Sequence, residues 1–240
     1  MLKLDLKGYF MAINKDILYG IILRTVRKTG ADRRAEWPTV DYLLRETIYN
    51  DPTKGCRIKG SPDDWKGLPE DKSLFHTRRG CGLPIGNVTS QLFSTIYLDV
   101  LDQYCKRTLK CRHYGRYVDD FYIVGDSKES LRRLVPTIRA FLKEELALTL
   151  HPRKIWLHRQ EEGVPFLGTV LSNGKRTMSR RGRKKMNEKL TLAMACENNP
   201  FRVRECVNAY EGYTRKFNRG GRKWFRDRGT HTDSHKKIKI

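Results

Sequence analysis

Three carboxylates in this chain have the types and spacing to hold divalent cations. Asp119 and Asp120 are adjacent, between two β-prone runs at residues 115–118 and 121–124. A hairpin turn there projects carboxylates from the end of a sheet, where like charges repel most when partly desolvated. By itself such a pair is more often an acidic hairpin tip. Asp5 changes the reading. It belongs to the alternating stretch Leu2-Lys3-Leu4-Asp5-Leu6, which predicts a strand with its leucines on one face. An Asp on a buried strand without a partner is expensive. Two-ion nucleotidyl transfer requires a carboxylate from one strand and another from a neighbouring hairpin, with the ions about 3.5–4 Å apart. In that scheme Asp5 and Asp119 bridge both ions and Asp120 is auxiliary. One ion activates an attacking 3′-hydroxyl and the other holds a triphosphate and stabilises the leaving pyrophosphate. Mg²⁺ suits such oxygen ligands, taking one or two carboxylates together with substrate phosphates.

The elements that must position these groups follow from the pattern of apolar residues. After Gly8, apolar residues at Ile13, Ile17, Leu18, Ile21, Ile22 and Val26 predict a helix, and a second is expected at 39–49. Residues 50–72, rich in Pro, Gly and Asp, read as loop. A glycine-rich approach, 80–86, leads into the strongest helical stripe, Phe93, Ile96, Tyr97, Val100, Leu101 and Tyr104, with Asn87 or Thr89 as its cap. Strands at 113–118 and 121–124 flank the two Asp residues. Ser127 opens a helix that Pro136 should kink. A strand near 154–157 and a hairpin at 165–171 are expected to complete the sheet, and helices at 181–196 and 201–219 follow. This order predicts an α+β fold, an antiparallel sheet backed by helices.

Composition sets the partners. The chain has 240 residues and a net charge of +22, suited to a polyanion, although a membrane surface or an acidic protein would also absorb it. The stretch from Lys175 onward holds 20 Lys and Arg against 6 Asp and Glu, the mark of a basic surface or tail. The six cysteines form no CxxC pair, which argues against zinc. With no signal peptide and no apolar run of about 18 residues, a soluble, cytoplasmic chain without a membrane partner is expected.

Five segments in order resemble the motifs of bacterial reverse transcriptases. Leu4-Asp5-Leu6-Lys7-Gly8-Tyr9-Phe10 is similar to the first catalytic motif, and the second is Gly82-Leu83-Pro84-Ile85-Gly86-Asn87-Val88-Thr89-Ser90-Gln91. Tyr117-Val118-Asp119-Asp120 resembles the third, Leu150-His151-Pro152-Arg153-Lys154 the fourth, and Pro165-Phe166-Leu167-Gly168 the fifth.

The resemblance implies a polymerase palm over 1–178 with a fingers-like insertion at about 30–80. A basic helical thumb over 179–228 and a disordered tail over 229–240 would follow. It implies catalytic roles for Asp5, Asp119, Asp120 and Lys154, the last as general acid near the pyrophosphate. It implies two Mg²⁺ ions, with Mn²⁺ as the alternative, on Asp5, the Leu6 carbonyl, Asp119 and Asp120. Lys7, Gly8, Tyr9, Phe10, Ile85, Gly86, Ser90 and Gln91 would bind the nucleotide, with Phe10 under the sugar to exclude a 2′-hydroxyl. Phe166, Leu167 and Gly168 would form the primer grip. The implied partners are an RNA template, a DNA or RNA primer, deoxynucleoside triphosphates and a small accessory protein, in a bacterial or phage setting.

Ile85, followed by Gly86 and by Ser90-Gln91, is similar to the diversity-generating retroelement enzymes, which copy RNA with errors at adenines; many other members carry Gln at this position. A group II intron or retron enzyme, or a non-catalytic RNA-binding remnant, are the alternatives. The family carries a fingers segment before its first catalytic strand, where this sequence begins. Lys54, Arg57, Arg78 and Arg79 in the insertion are candidates to take over nucleotide capture.

Overall fold

A computed structural model of the chain describes residues 1–57, 60–159, 161–172, 175–195 and 200–214. These fall into two compact units, Met1–Leu157 and one beginning at His158.

The first unit is built on a four-stranded antiparallel sheet. Its strands are β1 (Leu2–Leu4), β2 (His113–Tyr117), β3 (Asp120–Val124) and β4 (Trp156–Leu157), in the order β2-β3-β1-β4. Strand alternation sorts the two faces. Leu2 and Leu4 lie opposite Ile123 and Phe121, and all four are buried. Lys3 lies opposite Tyr122 on the other face. The apolar face packs against helices α1 (Tyr9–Ala12), α2 (Lys15–Thr29), α3 (Trp37–Tyr49), α4 (Val88–Gln103) and α5 (Lys128–Leu146), in one core that includes Ile13, Leu18, Tyr97, Leu101, Ile138 and Leu142. Burying side chains of this size contributes about 1.5–3 kcal/mol each before conformational entropy is subtracted.

Helix ends follow local chemistry. The Asn14 side chain accepts from the N–H groups of Asp16 (2.9 Å) and Ile17 (3.0 Å) to start α2, and Gly30, at φ 68°, ends it. Ser127 caps α5 through the N–H of Ser130 (3.0 Å), and Pro136 lies inside that helix. Asn87 is the cap residue of α4 but makes no side-chain cap bond. A π-helical turn, Tyr104–Thr108, extends α4, and the ring of Tyr104 stacks on Phe141 at 3.8 Å.

The second unit contains its own three-stranded sheet, β5 (Val164–Phe166), β6 (Thr169–Ser172) and β7 (Lys175–Met178), followed by α6 (Arg180–Ala195) and α7 (Pro200–Thr214). Met178, Met186 and Leu190 form its core with Val207, Tyr210 and Tyr213. The hairpin expected at 165–171 is present, but it does not complete the first sheet. It pairs instead with β7, a strand that the sequence pattern did not signal because Lys175-Arg176-Thr177-Met178 carries only one apolar residue. The end of the helix expected to run to 219 and the tail 229–240 lie outside the described residues. Among the described residues no helix is long and apolar enough to cross a membrane.

Candidate active site

Asp5 follows β1 and is fixed through its backbone. Its carbonyl accepts from the N–H of His151 (2.8 Å), and the Lys7 N–H donates to the Thr149 carbonyl (2.9 Å). Leu6 bridges Leu150, and further along Leu2 pairs with Leu157. The partner segment is longer than the stretch of β1 it faces, so its excess bulges into a turn closed by the Lys154 N–H on the His151 carbonyl (3.2 Å). That turn carries Lys154 over Asp5, where Nζ lies 3.0 Å from both carboxylate oxygens.

Asp119 sits in the two-residue turn between β2 and β3, because Tyr117 pairs with Asp120. Val118, the other turn residue, adopts φ 56°, a region that β-branched residues rarely enter, at a cost of about 1–3 kcal/mol. Arg116 braces it. The guanidinium donates Nη1–H to the Val118 carbonyl (3.0 Å), and Nε and Nη2 grip the carboxylate of Asp102 in α4 (2.8 and 2.6 Å). Asp102 also accepts from the Tyr114 hydroxyl (2.5 Å), and the Arg116 side chain is only 9% exposed. Sequence reading did not single out this clamp. An Arg on a strand and an Asp on a helix are ordinary apart, and only the folded register joins them.

Burial pushes the Asp119 carboxyl above its usual range. The charges of Asp5 and Asp120 push it the same way, against the Asp119 backbone N–H and Lys154. Asp120 is itself engaged by Lys3, 3.1 Å away on the polar face of the sheet. Among the described residues, no three His, Cys, Asp or Glu side chains converge as an all-protein metal cage. The half-buried Asp119 and Asp5 repel each other, and they are the pair that could hold a cation, which would relieve that repulsion. This fits Mg²⁺, which shares its coordination between one or two carboxylates and substrate phosphates.

Beside these groups opens a cavity of about 490 Å³, within the range of small-molecule sites. Of the expected residues, Leu6, Gly8, Tyr9, Phe10, Ile85, Asp119 and Lys154 line it. Tyr9 is buried and its hydroxyl donates to the Ser94 carbonyl (2.5 Å), which anchors α1 on α4. Gly8 adopts φ 54°, and a Cβ there would meet the carbonyl oxygen of Asp71 at 2.7 Å, so glycine is required twice over. Asp5, Lys7, Gly86, Ser90, Gln91 and Asp120 are not among the lining residues. Ser90 is buried and lines a separate cavity of about 330 Å³, with Leu43, Pro84 and Phe93. Pro69, Asp71, Lys72 and His151 line the main cavity without having been expected there, and Lys54, Arg57, Arg78 and Arg79 do not line it.

In the second unit, Leu167 (φ 48°) and Gly168 (φ 78°) form the two-residue turn between β5 and β6. Two successive positive φ values are those of a type I′ hairpin, which suits the strand twist. The Phe166 carbonyl accepts from the Thr169 hydroxyl (2.7 Å), and the Gly168 carbonyl from the Ser179 N–H (3.1 Å).

Comparison with known proteins gives three findings. A solved structure of telomerase from Candida albicans, in complex with a fragment of telomeric RNA, matches at 13% identity and a TM-score of 0.44. That match covers 96% of this chain, which spans only 41% of the telomerase chain. No curated protein sequence matches. Residues 1–171, from the strand that Asp5 follows to the hairpin after Phe166, match the family described as reverse transcriptase (RNA-dependent DNA polymerase), and the chain belongs to that family.

Proposed function

We propose that the chain carries out RNA-templated DNA synthesis, with Asp5 and Asp119 as the paired ligands of two Mg²⁺ ions. The observation that carries this reading is that Asp119 and Lys154 line one cavity with first-motif residues more than a hundred positions away, and that Lys154 holds Asp5 at 3.0 Å. Bound Mg²⁺ would supply activation of the 3′-hydroxyl and neutralisation of phosphate charge. The chain's own groups do the rest. Lys154 holds a proton at Nζ near the carboxylates, where it can be given to a leaving oxygen. Phe10 presents its ring to the cavity and narrows the space for a sugar 2′-hydroxyl. The Arg116 clamp holds the turn that presents Asp119. The Leu167–Gly168 hairpin is the candidate primer grip.

We further infer that synthesis is error-prone at adenines, as in diversity-generating retroelements. Ile85 lines the cavity and is 68% exposed, so it is not held there by core packing. A Gln there would offer hydrogen bonds around the nascent pair, and an aliphatic side chain offers none, which removes one source of discrimination.

Primer extension by the full chain on an RNA template, with deoxynucleotides and Mg²⁺, tests the reading. Asp119→Asn should lower extension by about 100-fold or more, beyond the loss typical of a disturbed outer-shell partner, with RNA binding unchanged. Extension that survives this substitution would overturn the assignment.

A further inference from the structure

The insertion between the first two motifs is seated on the catalytic backbone at two glycines. The Asp71 carbonyl oxygen lies 2.7 Å from where a Gly8 Cβ would stand, and Leu74 Cδ2 lies 2.9 Å from the same position at Gly82. Between these contacts the chain makes a tight 3₁₀ turn, Glu70–Lys72, closed by Lys72 N–H on the Pro69 carbonyl (2.9 Å) and Ser73 N–H on the Glu70 carbonyl (3.1 Å), with Ser73 buried. Pro69, Asp71 and Lys72 thereby form a wall of the cavity that also holds Phe10, Asp119 and Lys154. The two lysines in that lining differ. Lys154 is already engaged with Asp5, whereas Lys72 has no ion pair among the described residues.

We propose that Lys72 is the insertion's cation for the triphosphate of the incoming nucleotide. This rests on the polymerase reading and adds to it a binding residue from outside the five motifs. A triphosphate brings several negative charges into a cavity lined by Asp71 and Asp119, with Asp5 held on the lining Lys154. Ions held by Asp5 and Asp119 meet only part of that charge, and the uncommitted ammonium of Lys72, on the wall that the insertion forms, meets more. The seating on Gly8 holds the wall at a fixed height over the first-motif backbone.

The test uses the full chain bound to an RNA template and a DNA primer ending in a dideoxynucleotide, titrated with the next complementary deoxynucleoside triphosphate. Retention of the ternary complex reports nucleotide binding without chemistry. Lys72→Ala should raise the nucleotide concentration for half-maximal retention about tenfold, the effect of one charge-assisted contact at an exposed site. Lys72→Arg should stay within about threefold of wild type on the same scale. Lys66→Ala, which removes an equal charge from the same insertion at a lysine paired with Asp63, should leave it unchanged. In extension assays the Lys72→Ala loss should fall mainly on KM for the nucleotide. A Lys72→Ala protein that matches wild type, while wild type forms the complex and extends primers, overturns the role of Lys72 alone. A wild-type chain that neither retains the nucleotide nor extends overturns this inference together with the polymerase reading.

Discussion

Removing Arg116 should separate stability from catalysis. Its guanidinium makes two charge-assisted bonds to Asp102 and one to the Val118 carbonyl, from a side chain 9% exposed, and the Asp102 side chain is 18% exposed. Breaking a buried pair from one side costs about 3–5 kcal/mol, because the other charge is left uncompensated. The partial exposure of Asp102 places Arg116→Ala at the low end, about 3 kcal/mol. The double variant Asp102→Asn, Arg116→Met removes both charges and keeps an acceptor for the Tyr114 hydroxyl, so it should recover most of that stability. It cannot restore the bond to Val118. The turn presenting Asp119 is then free to relax, and a mis-set ligand worth about 1.4 kcal/mol of transition-state energy lowers kcat about tenfold. Urea denaturation gives the stabilities; primer extension over a range of Mg²⁺ concentrations gives kcat and the half-saturating ion concentration. The double variant should be nearly as stable as wild type, about tenfold slower, and shifted to higher Mg²⁺. Recovery of both stability and kcat would refute the positioning role and leave the clamp as scaffold.

Three further outcomes are expected. Ile85→Gln should lower misincorporation opposite template adenine by about fivefold, the equivalent of one neutral hydrogen bond, read by sequencing cDNA from one template; equal error rates would remove the idea. Phe10→Val should admit ribonucleotides, with the ratio of ribo- to deoxynucleotide incorporation rising about tenfold or more if the ring is worth a methylene-scale clash or greater; an unchanged ratio places the selectivity elsewhere. Because the folded Asp119 carboxyl sits above its ordinary value of 3.8, its contribution to stability is complete below that pH and is lost as the pH rises through the raised value. In chelator, therefore, the denaturation midpoint of wild type should fall relative to Asp119→Asn over that window, and parallel curves would refute the repulsion.

The carboxylates were legible in the sequence because each is set within or between β-prone runs, where an acidic residue stands out. Asp5 is the one acidic residue in an alternating strand, and Asp119-Asp120 separates two β-prone runs. The Leu2-Leu4-Leu6 alternation also foretold which face of β1 is buried. Local pattern could not show which Asp faces the cavity. Asp120 turns to Lys3, and that depends on the pairing of β1 with β3 across more than a hundred residues. The insertion was illegible for a related reason. Its Pro, Gly and Asp residues announce turns, but the seating of Asp71 on Gly8 is a tertiary contact with no periodic trace. Basic residues chosen there by charge alone, such as Arg78 and Arg79, miss the cavity, whereas Lys72 lines it by virtue of the 3₁₀ turn.

The two acidic arms of the site are tethered unequally. Asp5 is followed by backbone bonded to Thr149 and flanked by the sheet on the β3 side, so its peptide can hardly move without parting strands. The tip bearing Asp119 joins the edge strand β2 to β3, projects beyond their last pair and is steadied by one guanidinium. Under the proposed activity, any change in spacing as a nucleotide is loaded, joined and released is expected at the tip. In the proposed cycle of addition the opening strand would serve as the anvil and the hairpin as the hammer.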